Sequence, residues 1–172
     1  MQKTVLSILA IVLAAMMLIA SCNPNTTTTD SGENEGNEPV ETPDIPGAPE
    51  VTDAAAALAE IAKAYNMSED DAVMMLIQGI MSAADKKLAP GVTEITLDGD
   101  EYEGTDNEVF ERRVTVWGTI TLNGITPTSM NCIARYEDVN GLNLVLDFIG
   151  QAEGTVFKVS VGGIEHEISM EG

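Results

Sequence analysis

Apolar residues from Ala54 onward recur first every three or four positions and then every second position. Helices are therefore expected first and strands after them. Asp53 fits an N-cap for a helix of 54–65, in which Leu58, Ile61, Ala62 and Tyr65 share one face. Asn66 and Met67 make a turn, and Ser68 caps a second helix with Glu69, Asp70 and Asp71 in its first turn, where the helix dipole favours anions. Val73, Leu76, Ile77, Ile80, Met81 and Ala84 form its apolar stripe, Lys86 and Lys87 fall in its last turn, and Pro90-Gly91 stops it. The two helices, about 54–65 and 69–88, predict a helical hairpin. Its methionines at 67, 74, 75 and 81 fit either core filler or an adaptable binding surface.

Beyond Gly91 the period is two. Phe110, Val114, Val116, Ile120 and Leu122 point one way; Glu111, Arg113, Thr115, Thr119 and Thr121 point the other, with Trp117 among them. Met130, Cys132, Ala134 and Tyr136 alternate next, then Leu142, Leu144, Leu146 and Phe148. If Val139-Asn140-Gly141 is a three-residue loop with Gly141 left-handed, Tyr136 meets Leu144, Ala134 meets Leu146 and Cys132 meets Phe148. A two-residue Asn-Gly turn would set Glu137 against Leu144, so the pattern requires the longer loop. With Gly162-Gly163 as a two-residue turn, Val161 meets Ile164, Val159 meets His166, Phe157 meets Ile168, and Lys158 meets Glu167 on the other face. A short strand at 93–97 completes strands over about 93–171. An antiparallel sheet with one apolar face needs a cover. The expected fold is α+β: the N-terminal helical hairpin packed on a curved antiparallel sheet of five or six strands, in a single domain of 54–172.

The chain opens MQKTVLSILAIVLAAMMLIASC: one cation, an apolar run from Ile8 to Ala20, a small residue and a cysteine. That is the layout of a secretory signal. A spanning helix is the alternative, but the run falls short of the ~20 residues a bilayer needs. Leu18-Ile19-Ala20-Ser21-Cys22 closely resembles the lipobox of bacterial lipoproteins. The resemblance covers residues 1–22 only. It implies that residues 1–21 are removed, that Cys22 Sγ is thioether-linked to diacylglycerol, and that the new amino group is often acylated as well. Each buried CH₂ contributes about 0.8 kcal/mol, so two or three acyl chains anchor the protein to the membrane effectively permanently. By the same resemblance, Asn23 lacks the aspartate that commonly retains such proteins at the inner membrane, which points to the outer membrane of a two-membrane cell.

From 23 to 53 the sequence holds eight carboxylates and no cation, with Pro, Thr, Asn and Gly between them. Such a stretch buries too little apolar surface to offset its chain entropy, so 22–53 is expected as the lipidated cysteine and a disordered, self-repelling tether. As a flexible coil it spans roughly 30 Å.

Charge removes one class of function. Residues 60–71, EIAKAYNMSEDD, have the layout of a helix-turn-helix DNA reader. Removing Lys3 with the signal leaves 8 − 1 = 7 Lys/Arg against 28 Asp/Glu, a net charge of −21. Polyanion binding needs clustered cations, and Glu69, Asp70 and Asp71 would meet the phosphates. Val73 also lies five residues after Ser68, where the familiar pattern places its aliphatic residue four after. Nucleic acid is excluded as a partner.

Catalytic chemistry has few candidates. His166 is the single histidine and faces inward between Ile164 and Ile168, a position that suits a satisfied core residue better than a base. With Cys22 lipidated, Cys132 has no disulfide partner and reads as a buried small hydrophobe; a Cys132–His166 thiol site is the catalytic alternative. One histidine and one free cysteine do not make ordinary zinc ligation. The acidic stretch 97–108 begins like a calcium loop, but Tyr102 and Glu103 stand where a ligand and the turn glycine belong. It reads as a solvated hairpin loop, with a weak cation site at Asp98, Asp100, Asp106 and Glu108 as its functional alternative. No cofactor is expected. The reading is a non-enzymatic envelope lipoprotein that binds an envelope protein or plays a structural role, with Trp117 as the contact residue or as support for a sheet edge. Carriage of a small apolar, lipid-like ligand is the alternative, and a thiol enzyme or hydrolase ranks last.

Overall fold

Asp53 Oδ1 accepts a 2.9 Å hydrogen bond from Ala56 N–H, and Ser68 Oγ accepts one of 3.1 Å from Asp71 N–H. These caps start helices α1 (Ala54–Ala64) and α2 (Glu69–Asp85). The computed structural model describes residues 42–106 and 109–170, and the side chains of 105, 106, 109 and 110 lie outside that description. After the helices come β1 (Glu94–Asp106), β2 (Val109–Asn123), β3 (Thr126–Asp138), β4 (Asn143–Glu153), β5 (Val156–Val161) and β6 (Ile164–Ser169). They form one open antiparallel sheet in the order β1-β2-β3-β4-β5-β6, and the fold is α+β.

Both predicted registers hold. Tyr136 faces Leu144, Ala134 faces Leu146, and Cys132 faces Phe148, with Gly141 left-handed at φ 91°. Val161 faces Ile164, Val159 faces His166, Phe157 faces Ile168, and Lys158 faces Glu167.

Helix α2 packs on β1 and β2 and reaches β6, while α1 lies against α2, β4 and β5. The core between them includes Leu58, Ile61, Leu76, Ile80, Val116, Ile120, Tyr136 and Phe148, each at most 1% exposed. Burying one such side chain contributes about 1.5–3 kcal/mol. Helix and sheet approach closely at Gly79, where a Cβ would stand 2.8 Å from Val114 Cγ2.

Two expectations change. Helix α2 ends at Asp85 rather than 88, and Lys87, now past the helix, reaches with Nζ to Thr96 O and Asp100 Oδ2, both at 2.8 Å. Most of the expected acidic loop, 97–106, is strand, because β1 runs for 13 residues instead of the short stretch 93–97. A bulge at Gly99 (φ 78°) lets Ile95 and Leu97 face the core before it and Tyr102 after it, so the alternation changes phase mid-strand.

Residues 42–53 also have a place against the sheet. A Cβ on Gly47 would lie 3.5 Å from Asp98 Oδ1 on β1, and Thr42 and Val51 share one cleft with Asp147 of β4.

Candidate functional site

The bulge at Gly99 separates the first two residues of the expected cation site. Asp98 stands opposite Trp117 on the helix-free face, whereas Asp100 stands opposite the core residue Val116, on the helix side. Asp100 Oδ2 takes Lys87 Nζ at 2.8 Å and accepts Asp98 N–H at 2.9 Å. Burial raises the pKa of its carboxyl, but the Lys87 ammonium and the backbone N–H outweigh this and hold it below its ordinary value. Lysine thus supplies the positive charge that an ion would have brought to Asp100. Glu108 and the side chain of Asp106 lie outside the described residues, as does Cys22. Among the described residues no three His, Cys, Asp or Glu gather as metal ligands.

Cys132 and His166 are not brought together. They lie on β3 and β6, with β4 and β5 between, about 14 Å apart at normal strand spacing. Cys132 is fully buried and its Sγ–H donates to Thr119 O at 3.5 Å; burial pushes the thiol up to about 12. His166, 6% exposed, joins Nδ1 to Asp70 Oδ1 at 2.7 Å, and its buried Nε2 makes no hydrogen bond. Asp70 therefore does more than favour the helix dipole. It ties the first turn of α2 to the edge strand β6.

A second polar cluster joins residues that are distant in the sequence. Tyr136 O–H donates to Tyr65 Oη at 2.7 Å, and Tyr65 O–H donates to Asp138 Oδ2 at 2.6 Å. Asp138 Oδ1 accepts the N–H groups of Asn140 and Leu142. Burial raises both phenols above their usual value, helped for Tyr65 by the Asp138 carboxylate and for Tyr136 by Tyr65. Burial also opposes ionisation of Asp138, but the bonds from Tyr65 and from the two backbone N–H groups lower its pKa. At neutral pH this is two hydroxyls on one carboxylate, a tie between the end of α1 and the β3–β4 turn. Tyr136 and Asp138 share one strand face by alternation, a signal the sequence did carry; Tyr65 is 71 residues from Tyr136.

The helix-free face has a different character. Asp98, Trp117, Ile133 and Asp147 are successive cross-strand partners on β1, β2, β3 and β4, forming one row about 14 Å long. Ile133 is 3% exposed and Asp147 2%, although neither belongs to the main core. Gly47 lies beside Asp98 at one end of the row, and Thr42 and Val51 border Asp147 at the other. Five residue steps from Thr42 to Gly47 reach about 16 Å, enough to cross it. Residues 42–50 therefore run along this face, turning at 45–48, where Ala48 N–H donates to Ile45 O at 3.1 Å, before Val51 packs against the main core and Asp53 caps α1. Gly47, at φ 82°, adopts the left-handed backbone that this turn requires.

Trp117 is half-buried in this row. Its indole lies over Gly99, and the Arg135 guanidinium sits 5.7 Å from the ring centroid, within cation–π range. At the Asp147 end a cleft of about 190 Å³ opens between the strap and the β5–β6 turn, where Gly162 N–H donates to Asp147 Oδ1 at 2.9 Å. The arrangement offers one aromatic ring, one buried carboxylate and an extended crossing segment. Among the described residues it holds no nucleophile–base pair. The chain matches no family model, no curated protein and no solved structure.

Proposed function

We propose that this chain is a bacterial envelope lipoprotein, anchored to a membrane through lipid on Cys22, whose α+β domain is a non-enzymatic binding or structural module. The observation that carries the reading is Leu18-Ile19-Ala20-Ser21-Cys22 at the end of a signal-like apolar run, followed by an acidic spacer. Asn23 after the cysteine supports the outer membrane. We read the two helices as a hairpin that covers a curved sheet and leaves the opposite face, around Trp117, to a partner. Burial of Cys132 and its distance from His166 support binding over thiol chemistry. Side chains with no exposure fill the space under the helices, which favours a solid core over a lipid carrier.

Growth with an alkyne-bearing fatty acid tests the anchor. The wild-type chain takes up label and fractionates with membranes, and Cys22→Ala loses both; label retained by Cys22→Ala would end the lipoprotein reading. Photo-crosslinking in intact cells, compared between wild type and Trp117→Ala, tests the contact face. An unchanged set of crosslinked partners would remove Trp117 from it.

A further inference from the structure

The strap over the helix-free face is poorly matched to what it covers. Among the described residues, 42–52 make no hydrogen bond to the sheet; the turn bond from Ala48 to Ile45 is internal. Asp44 and Glu50 on the strap cross a face whose row ends in Asp98 and Asp147, and no described cation pairs with any of the four. Asp44, Glu50 and Asp98 are exposed and Asp147 is buried, so strap and face both carry acid in a chain of net charge −20, with the Arg135 guanidinium beside Trp117. Beneath the strap are an almost fully buried isoleucine, Ile133, and a tryptophan that already accepts a guanidinium. Among the described residues neither a hydrogen bond nor an ion pair fastens the strap to this face, and the strap's acids add no attraction to the acids there.

We propose that this face is a docking groove for an extended, Lys- or Arg-bearing segment of a partner protein, and that residues 42–50 are its displaceable occupant. The inference rests on the binding-module reading and names the partner's chemistry. A cationic segment would follow the path the strap takes, place an apolar side chain on Ile133 and set cations against Asp98 and Asp147, adding an attraction that the acidic strap does not supply. Long-range attraction to the acidic chain would speed its arrival.

The test uses the mature chain, 22–172, with Cys22→Ser to keep it free of lipid. Its probe is a ten-residue peptide alternating Lys and Val, with a Glu/Val peptide as control. The single Trp117 reports on the groove by fluorescence, and amide exchange reports on 44–50. The Lys peptide is expected to bind, to shift Trp117 emission, to lower amide protection in the strap, and to weaken as salt is raised. In Gly47→Cys/Asp98→Cys, oxidation pins the strap and reduction frees it without changing composition. Pinning is expected to reduce affinity at least tenfold. Asp147→Asn keeps an acceptor for Gly162 N–H but removes the charge, and is expected to weaken the peptide threefold or more. Equal affinity in the pinned and free states would put binding elsewhere, and absence of binding to the native chain would remove the groove. Concentration-dependent dimers, joined between the introduced thiol at position 47 of one copy and that at position 98 of another, would make a second copy the occupant and overturn the proposal. None of these results touches the anchor, which the fatty-acid label tests separately.

Discussion

Tyr65 donates a 2.6 Å hydrogen bond to Asp138 across 73 residues of sequence, joining the end of the first helix to the turn between β3 and β4. A hydrogen bond to a charged acceptor contributes about 1.5–3 kcal/mol when its loss leaves the acceptor partly buried. Tyr65→Phe is therefore expected to lower stability by about 2 kcal/mol in urea titration, with the slope unchanged. A loss under about 0.5 kcal/mol would mean that water replaces the phenol at no cost.

The same cluster sets a pH window. The pKa of Asp138 is depressed in the fold, so its stabilisation is present above the ordinary value of 3.8 and is lost as pH falls through the folded value. The two tyrosines have raised values, so their contribution is complete below 10.0 and is lost as pH rises beyond it. Unfolding midpoints measured against pH should fall at both ends, and the alkaline fall should be smaller in Tyr65→Phe.

Asp70→Ala removes the partner of His166 Nδ1 and leaves the ring buried with neither nitrogen bonded. The expected cost is about 1–2 kcal/mol, with faster amide exchange along β6. If β6 exchanges at the wild-type rate, the contact does not hold that strand.

Cys132 combines full burial with a thiol pushed up to about 12. At pH 8 only about one thiol in ten thousand would be ionised. Alkylation by iodoacetamide should proceed no faster than global unfolding and become rapid in denaturant. Rapid modification of the native fold would bring back the thiol chemistry.

Gly79→Ala sets helix propensity against packing. Alanine favours the helix by about 1 kcal/mol, but its Cβ would lie 2.8 Å from Val114 Cγ2, and valine has little rotamer freedom to yield. Net destabilisation of about 1–2 kcal/mol is expected. Val114→Ala in the same chain should recover part of it, measured as a coupling in a double-mutant cycle.

Much of the sheet was legible because its signals are local. The three-residue loop at 139–141 and the Gly162-Gly163 turn each fixed a register that alternation on both faces then checked. Strand β1 was hidden because the bulge at Gly99 changes the phase of alternation and acids crowd the same residues. The ties from Tyr65 to Asp138 and from Asp70 to His166 span 73 and 96 residues, and nothing local in a sequence pairs such positions. Composition assigned 23–53 to the tether, and the place of 42–50 on the helix-free face follows only from the row they cross. Trp117 was singled out by its position among threonines, while the row of Asp98, Ile133 and Asp147 around it depends on register across four strands.

Every strand lies beside its neighbour in sequence, so the sheet can zip hairpin by hairpin with little loop-closure entropy lost at each step. The helices precede the strands in the chain, and α2 has both local and distant partners. Helix α2 rests on β1 and β2 yet is fastened through Asp70 to β6, the last strand to appear. Most of the apolar stripe of α2 can therefore be covered once β1 and β2 have formed, while its first turn stays unfastened until His166 arrives.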